Sequence, residues 1–75
     1  MPHITVKLFP GQPEELKQRL SDAIARKVME VLGSKDSSIS VAFEEVEKSD
    51  WAEKVYRPEI VGQAEKLYKK PGYEM

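Results

Sequence analysis

Few side chains in this sequence are suited to chemistry, and the most distinctive group belongs to the backbone. The chain has no cysteine and a single histidine, His3, which excludes thiol nucleophiles and thiolate metal sites and disfavours a multi-imidazole metal centre. If Met1 is removed, the Pro2 nitrogen becomes a secondary amine that can act as a base or nucleophile. At the head of a buried strand such an amine loses hydration, which lowers its pKa toward neutrality. That would suit it to abstracting a proton next to a carbonyl.

The other polar residues give weaker signals. There is no glycine-rich phosphate loop, and Ser34 with Lys35, or Ser37 with Ser38, is typical of a polar loop rather than a hydrolase site. A Met-Pro start alone does not distinguish an enzyme from a small interaction module. Both classes therefore stay open at this point.

The elements that must position Pro2 can be predicted from apolar spacing. In His3–Phe9 the residues Ile4, Val6 and Leu8 alternate with His3, Thr5, Lys7 and Phe9, which predicts a strand. Pro13-Glu14-Glu15 predicts a helix with proline in the first helical position. Apolar residues then recur at helical spacing until Gly33, namely Leu16, Leu20, Ala23, Ile24, Val28, Val31 and Leu32.

A second strand follows the polar loop at 34–37, because Ile39, Val41 and Phe43 alternate with Ser38, Ser40, Ala42 and Glu44. A strand, a long helix and a second strand form a crossover unit, so the two strands are predicted to be parallel. The fold class is therefore α/β.

The last third of the chain predicts further helix. Asp50 and Glu53 have capping-box spacing, and Pro58 is interpreted as the start of a second helix that runs to Lys70. Pro71-Gly72 ends it and leaves a short tail, Tyr73 to Met75. The whole chain, residues 1–75, is expected to be one domain.

Size and charge limit the class of partner. Twelve Lys and Arg against thirteen Asp and Glu give 75 residues a net charge of −1, so no basic field favours nucleic acid. No apolar run reaches the ~20 residues of a membrane helix, and no signal-peptide pattern is visible. We expect a cytoplasmic protein without nucleic-acid or membrane partners.

A two-stranded sheet without disulfides is marginal alone, which predicts association with a second copy.

Three segments in this order resemble the 4-oxalocrotonate tautomerase family over nearly the whole chain. They are Met1-Pro2-His3-Ile4 at the start of a strand, Ser37-Ser38-Ile39-Ser40-Val41 after a long helix, and Trp51 beyond the second strand. The motifs Met-Pro-His-Ile, Ser-Lys-Asp-Ser-Ser-Ile-Ser and Lys-Lys-Pro-Gly-Tyr are most similar to a bacterial branch that is usually dimeric rather than hexameric.

The resemblance implies a cofactor-independent enol–keto tautomerase with no metal. By position, Pro2 would be the general base and acid and Trp51 the apolar wall of the site. Trp51 at a helix start could equally be a core or interface anchor. The family's two carboxylate-binding arginines match Gln12 and Ser40 here, so a diacid is disfavoured. A small aromatic or monoacidic enol, such as an arylenolpyruvate, fits better, with polar contacts from Gln12, Ser40 or His3. His3 could equally lie at a subunit interface.

Two other functions fit the same residues. A hydratase or dehalogenase acting on small unsaturated acids would share the scaffold, but this chemistry generally needs the missing arginines and an activated water. A non-catalytic dimeric interaction module would make the Met-Pro start incidental. Retention of Met1 would favour the module, because it would turn the Pro2 nitrogen into an amide without basicity.

Overall fold

The computed structural model describes residues 1–75, which form two compact units, Met1–Glu45 and Val46–Met75. The first unit contains strand β1 (His3–Leu8), helix α1 (Glu14–Leu32), a single 3-10 turn (Asp36–Ser38) and strand β2 (Ser40–Glu45). The strands pair in parallel, with His3 opposite Ser40 and Leu8 opposite Glu45. The β-α-β crossover predicted from the sequence is confirmed.

The two faces of this sheet differ in composition and burial. Alternate residues are half-buried and apolar on one face, namely Ile4, Val6, Leu8, Val41 and Phe43. Helix α1 packs against β2. The opposite face carries the exposed residues His3, Thr5, Ser40, Ala42 and Glu44. The period of two thus separates an apolar, helix-covered face from an open polar face that begins at Pro2.

Helix α1 begins one residue later than predicted. Pro13 is the residue before the helix, with an extended backbone (ψ 148°), and its carbonyl accepts hydrogen bonds from the N–H groups of Leu16 and Lys17 at 3.1 and 3.2 Å. The stop at Gly33 is confirmed: its φ of 71° is left-handed, and its N–H donates to the Met29 carbonyl at 3.0 Å. Glycine adopts this conformation without the penalty that a Cβ would bring.

The apolar residues of α1 form two stripes with different burial. Ile24 and Val28 are half-buried, whereas a second set remains between 43% and 69% exposed, namely Leu16, Leu20, Val31 and Leu32. In the whole chain only Val46 and Val55 are buried apolar residues. A single copy therefore leaves much of its apolar surface in contact with water.

The second unit contains one continuous run of helix that begins ten residues before Pro58, rather than the helix predicted from Pro58 to Lys70. Helix α2 (Lys48–Trp51) continues directly into a π-helix (Ala52–Val61), and a short 3-10 turn (Ala64–Lys66) follows. Pro58 lies inside the π-helix, so the prediction that it starts a helix is wrong. No helix in the chain is long and apolar enough to cross a membrane.

The capping-box interpretation of Asp50 is also wrong. Glu47 precedes α2 and makes no side-chain cap, while the Asp50 carboxylate accepts a hydrogen bond from Lys54 Nζ at 3.4 Å. Asp50 lies inside a helix that has already begun, and it pairs with Lys54 four residues further on rather than capping the helix with Glu53 three residues on. At the other end, Gly62 N–H donates to the Arg57 carbonyl at 2.8 Å, a five-residue step that closes the π-helix.

Candidate active site

Pro2 lies immediately before β1 and is held by the neighbouring strand. Its carbonyl accepts a hydrogen bond from the backbone N–H of Ser40 at 3.2 Å, and the residue is half-buried. Met1, by contrast, is fully exposed (100%). Removal of Met1 would therefore sacrifice no packing and would leave the Pro2 nitrogen at the head of a fixed strand.

Two of the predicted site residues meet directly beside Pro2. His3 and Ser40 are cross-strand partners in the parallel sheet, and His3 Nδ1 is hydrogen-bonded to Ser40 Oγ at 2.6 Å. The other ring nitrogen, Nε2, lies 3.4 Å from Thr5 Oγ1. Both ring nitrogens therefore face hydroxyl oxygens, which fixes the imidazole plane on the open face of the sheet.

This group is polar but contains no arginine or lysine. A hydroxyl and an imidazole can each donate or accept a hydrogen bond to a carbonyl, an enol oxygen or a single carboxylate. They cannot form the bidentate ion pairs by which guanidinium groups hold carboxylates. The chemistry available to this group is thus hydrogen bonding to a small oxygen-bearing molecule.

Gln12 is not brought to this place within one chain. It lies in the turn between β1 and α1, at the edge of a concavity of about 230 Å³ lined by Leu8, Leu16, Lys17 and Leu20. The six residues of β1 span roughly 20 Å at about 3.3 Å per residue. Because Pro2 precedes the start of that strand and Gln12 follows its end, the two lie at opposite ends of the first unit.

Trp51 lies at the end of α2 in the second unit and is half-buried. Its indole Nε1 donates a hydrogen bond to the Tyr73 hydroxyl at 3.0 Å. The Tyr73 ring in turn packs against Tyr56, with 5.6 Å between ring centroids and 35° between the planes. Trp51 therefore belongs to a three-residue aromatic cluster, Trp51, Tyr56 and Tyr73.

Tyr73 is not among the predicted site residues, because it lies beyond the predicted helix end in the short tail Tyr73 to Met75. The available signal was Pro71-Gly72 directly before it. Proline followed by glycine marks a change of chain direction as well as a helix end. An aromatic residue just beyond such a turn can pack back against the preceding helix.

The first unit also contains a charge cluster centred on Lys17. Lys17 Nζ is 2.7 Å from Glu14 Oε1 and 3.3 Å from Glu45 Oε2. Its hydrogen bond to Glu14, with a smaller contribution from Glu45, raises the pKa of Lys17 above its usual 10.5. The cluster joins the first turn of α1 to the end of β2 and has a structural role.

The parallel β-α-β unit that begins directly after Pro2 agrees with a match to a family of small enzymes. The family model described as "Tautomerase enzyme" matches residues 2–58, and the chain belongs to this family. It is a tautomerase, an isomerase that acts on small molecules.

Relatives and solved structures agree with this assignment. The chain is 48% identical to a "Probable tautomerase" of Xylella fastidiosa over 97% of this chain and 89% of that protein. It is 43% identical to Tautomerase PptA of Cronobacter sakazakii over the full length of both. Among solved structures, YwhB, a homologue of 4-oxalocrotonate tautomerase, is 34% identical with a TM-score of 0.61 over 63% of this chain and 77% of that chain. The predicted family and its PptA-like branch are confirmed.

Proposed function

We propose that Pro2, freed by removal of Met1, is the general base and acid of a cofactor-independent enol–keto tautomerase. The observation that carries this proposal is the setting of Pro2: half-buried, bonded through its carbonyl to Ser40, and preceded only by the fully exposed Met1. The amine accepts the proton of the enol hydroxyl as the carbonyl forms. It then delivers a proton to the adjacent carbon, which restores the neutral amine.

The substrate that fits best is a small aromatic or monoacidic enol, such as an arylenolpyruvate. The hydrogen-bonded pair His3 and Ser40 offers neutral contacts for one oxygen-bearing group. Gln12 and Ser40 stand where diacid-binding relatives would need arginines, and a second desolvated carboxylate without a cation would be costly. Trp51 is proposed as the apolar wall against which an aromatic ring packs.

A second copy of the chain is proposed to complete the enzyme. The exposed stripe on α1 and the scarcity of buried residues support association into a homodimer. A two-fold dimer presents identical patches, so Gln12 of one copy could serve the Pro2 of the other, which it cannot reach in its own chain. Light scattering tests this: a monomer at micromolar concentration would contradict it. A cytoplasmic location remains a prediction.

The proposed mechanism is tested with protein whose intact mass shows loss of Met1. We expect ketonisation of phenylenolpyruvate, and a fall of at least about 100-fold in Pro2→Ala, because a positioned acid–base group contributes roughly that much or more. Pro10→Ala, an exposed turn proline, is the matched control and should keep full activity.

Two results would overturn the mechanism. Equal rates for Pro2→Ala and the unsubstituted protein would remove proline from the reaction. Turnover of a 3-haloacrylate faster than ketonisation would favour the dehalogenase reading instead. A form that retains Met1 should behave like Pro2→Ala, since its Pro2 nitrogen is an amide.

A further inference from the structure

The Trp51 side chain is held by a residue from the far end of the chain. The last regular element ends at Lys66, yet Tyr73 lies close enough for its hydroxyl to accept the indole N–H at 3.0 Å. Tyr73 is 44% exposed, so general burial does not account for its position. Its contacts with Trp51 and Tyr56 do.

Tyr68, in the same segment, provides an internal contrast. It is fully exposed, whereas Tyr73 has both a hydrogen bond and a ring partner. Two tyrosines five residues apart in one irregular segment thus have opposite surroundings. The position of Tyr73 is therefore explained by its contacts in the aromatic cluster and not by the segment as a whole.

A single hydrogen bond can define the orientation of an indole. Trp51 has only one donor, Nε1–H, and its rotamer determines where the flat face points. The Tyr73 hydroxyl fixes the direction of that donor, and the Tyr56 ring limits where the Tyr73 ring can move. Tyr73, which lies outside the helix of Trp51, therefore constrains the plane of the indole.

We infer that Tyr73 is a positioning residue that orients the Trp51 indole and thereby sets a preference for aromatic over aliphatic enols. This rests on the proposed function, in which Trp51 forms the wall of the site. Packing of a substrate ring depends on the angle and offset of the two π-faces. A short non-aromatic enol offers a much smaller π-face than an aromatic ring and depends far less on the angle of the indole.

The test uses Tyr73→Phe, which keeps the ring and removes only the hydroxyl, with Tyr68→Phe as the matched control. For phenylenolpyruvate we expect KM to rise roughly fivefold in Tyr73→Phe, the size of one net hydrogen bond, with kcat little changed. For the non-aromatic monoacid 2-hydroxy-2,4-pentadienoate, KM should stay within about twofold, since this substrate has no aromatic ring to stack on the indole. Tyr68→Phe should match the unsubstituted protein with both compounds.

A second measurement does not depend on activity. Trp51 is the only tryptophan, so fluorescence anisotropy decay reports on this one side chain. Tyr73→Phe should increase the amplitude of fast indole motion, and Tyr68→Phe should not.

Unchanged indole motion in Tyr73→Phe would overturn the inference whatever the enzyme does. Increased motion with an equal change in KM for both substrates would overturn the link to selectivity. Either result differs from failure of the proposed function, which would appear as full activity in Pro2→Ala.

Discussion

The units Met1–Glu45 and Val46–Met75 are held together by different kinds of interaction. In the first, a parallel backbone ladder and one apolar sheet face repeat the same contact along six paired positions. The second unit depends on features that each occur once: a π-helix, a glycine packed against backbone carbonyls (Gly62) and an aromatic cluster. A repeated interaction tolerates the weakening of one member, whereas a unique contact has no substitute.

The glycines that end the two long helices show this difference at single residues. Gly33 is required by its backbone angle, a φ of 71°, and a Cβ there would meet nothing within 4 Å. Gly62 has an ordinary φ of −68°, but a Cβ would lie 2.8 Å from the Pro58 carbonyl oxygen and 2.9 Å from that of Arg57. One glycine is needed for conformation and the other for space.

The largest expected effect on stability breaks the repeated packing of the first unit. Phe43→Ala should lower the free energy of unfolding by about 2 kcal/mol, less than for a fully enclosed phenylalanine because Phe43 is half-buried. Urea unfolding measures the change. Ala42→Ser, on the open face of the same strand, should stay within about 0.5 kcal/mol; equal losses would show that the two faces are not energetically distinct.

The next effect sharpens the contrast between the glycines. Gly62→Ala should cost about 1–2 kcal/mol, because backbone carbonyls have to move, and Gly62→Asn should cost at least as much. Gly33→Ala should cost about 1 kcal/mol, the penalty of a Cβ in the left-handed region, while Gly33→Asn should recover part of it, since asparagine tolerates that region. Thermal unfolding of the four variants checks this; recovery by asparagine at Gly62 would contradict the spatial explanation.

The smallest effect concerns the charge cluster of the first unit. The pKa of Lys17 is raised by Glu14 and Glu45, so the ion pairs stabilise the fold below pH 10.5 and this contribution is lost as the pH rises through the higher folded-state value. The stability difference between the unsubstituted protein and Lys17→Met should therefore narrow in that range. Lys27→Met, at an exposed pair with Glu30, is the control and should lower the free energy of unfolding by less at every pH. If the loss of stability in Lys17→Met did not change with pH, the contribution of Lys17 would come from packing of its aliphatic stem.

Prediction from sequence succeeded where one period dominates. The alternation around Val6 and Val41 and the stop at Gly33 indicated both strands, their parallel pairing and the end of the helix between them. The alternation does not fix the register, so the pairing of His3 with Ser40 and their 2.6 Å hydrogen bond come from the structure alone.

The failures lie where a local signal had two meanings. Pro58 is typical of a helix start, but a proline is also tolerated within a π-helix, where the winding has already changed. Asp50 has a glutamate three residues on, as in a capping box, and a lysine four residues on, as in an i,i+4 ion pair, and the structure contains the second. Tyr73 is six residues beyond Leu67, the last apolar residue of the helical pattern, so a contact with Trp51 depends on how the chain turns back rather than on any period.

The alignment of His3 with Ser40 has a consequence for changes in chain length. Side chains alternate between faces, so sliding β2 by one position against β1 would turn Ser40 toward the helix and place an aliphatic neighbour opposite the imidazole. A one-residue insertion or deletion between Gly33 and Ile39 could be absorbed by such a slip. His3 would then lose its hydrogen bond to Ser40, although neither residue had been substituted. Loop length is therefore as much a determinant of the chemistry as loop composition.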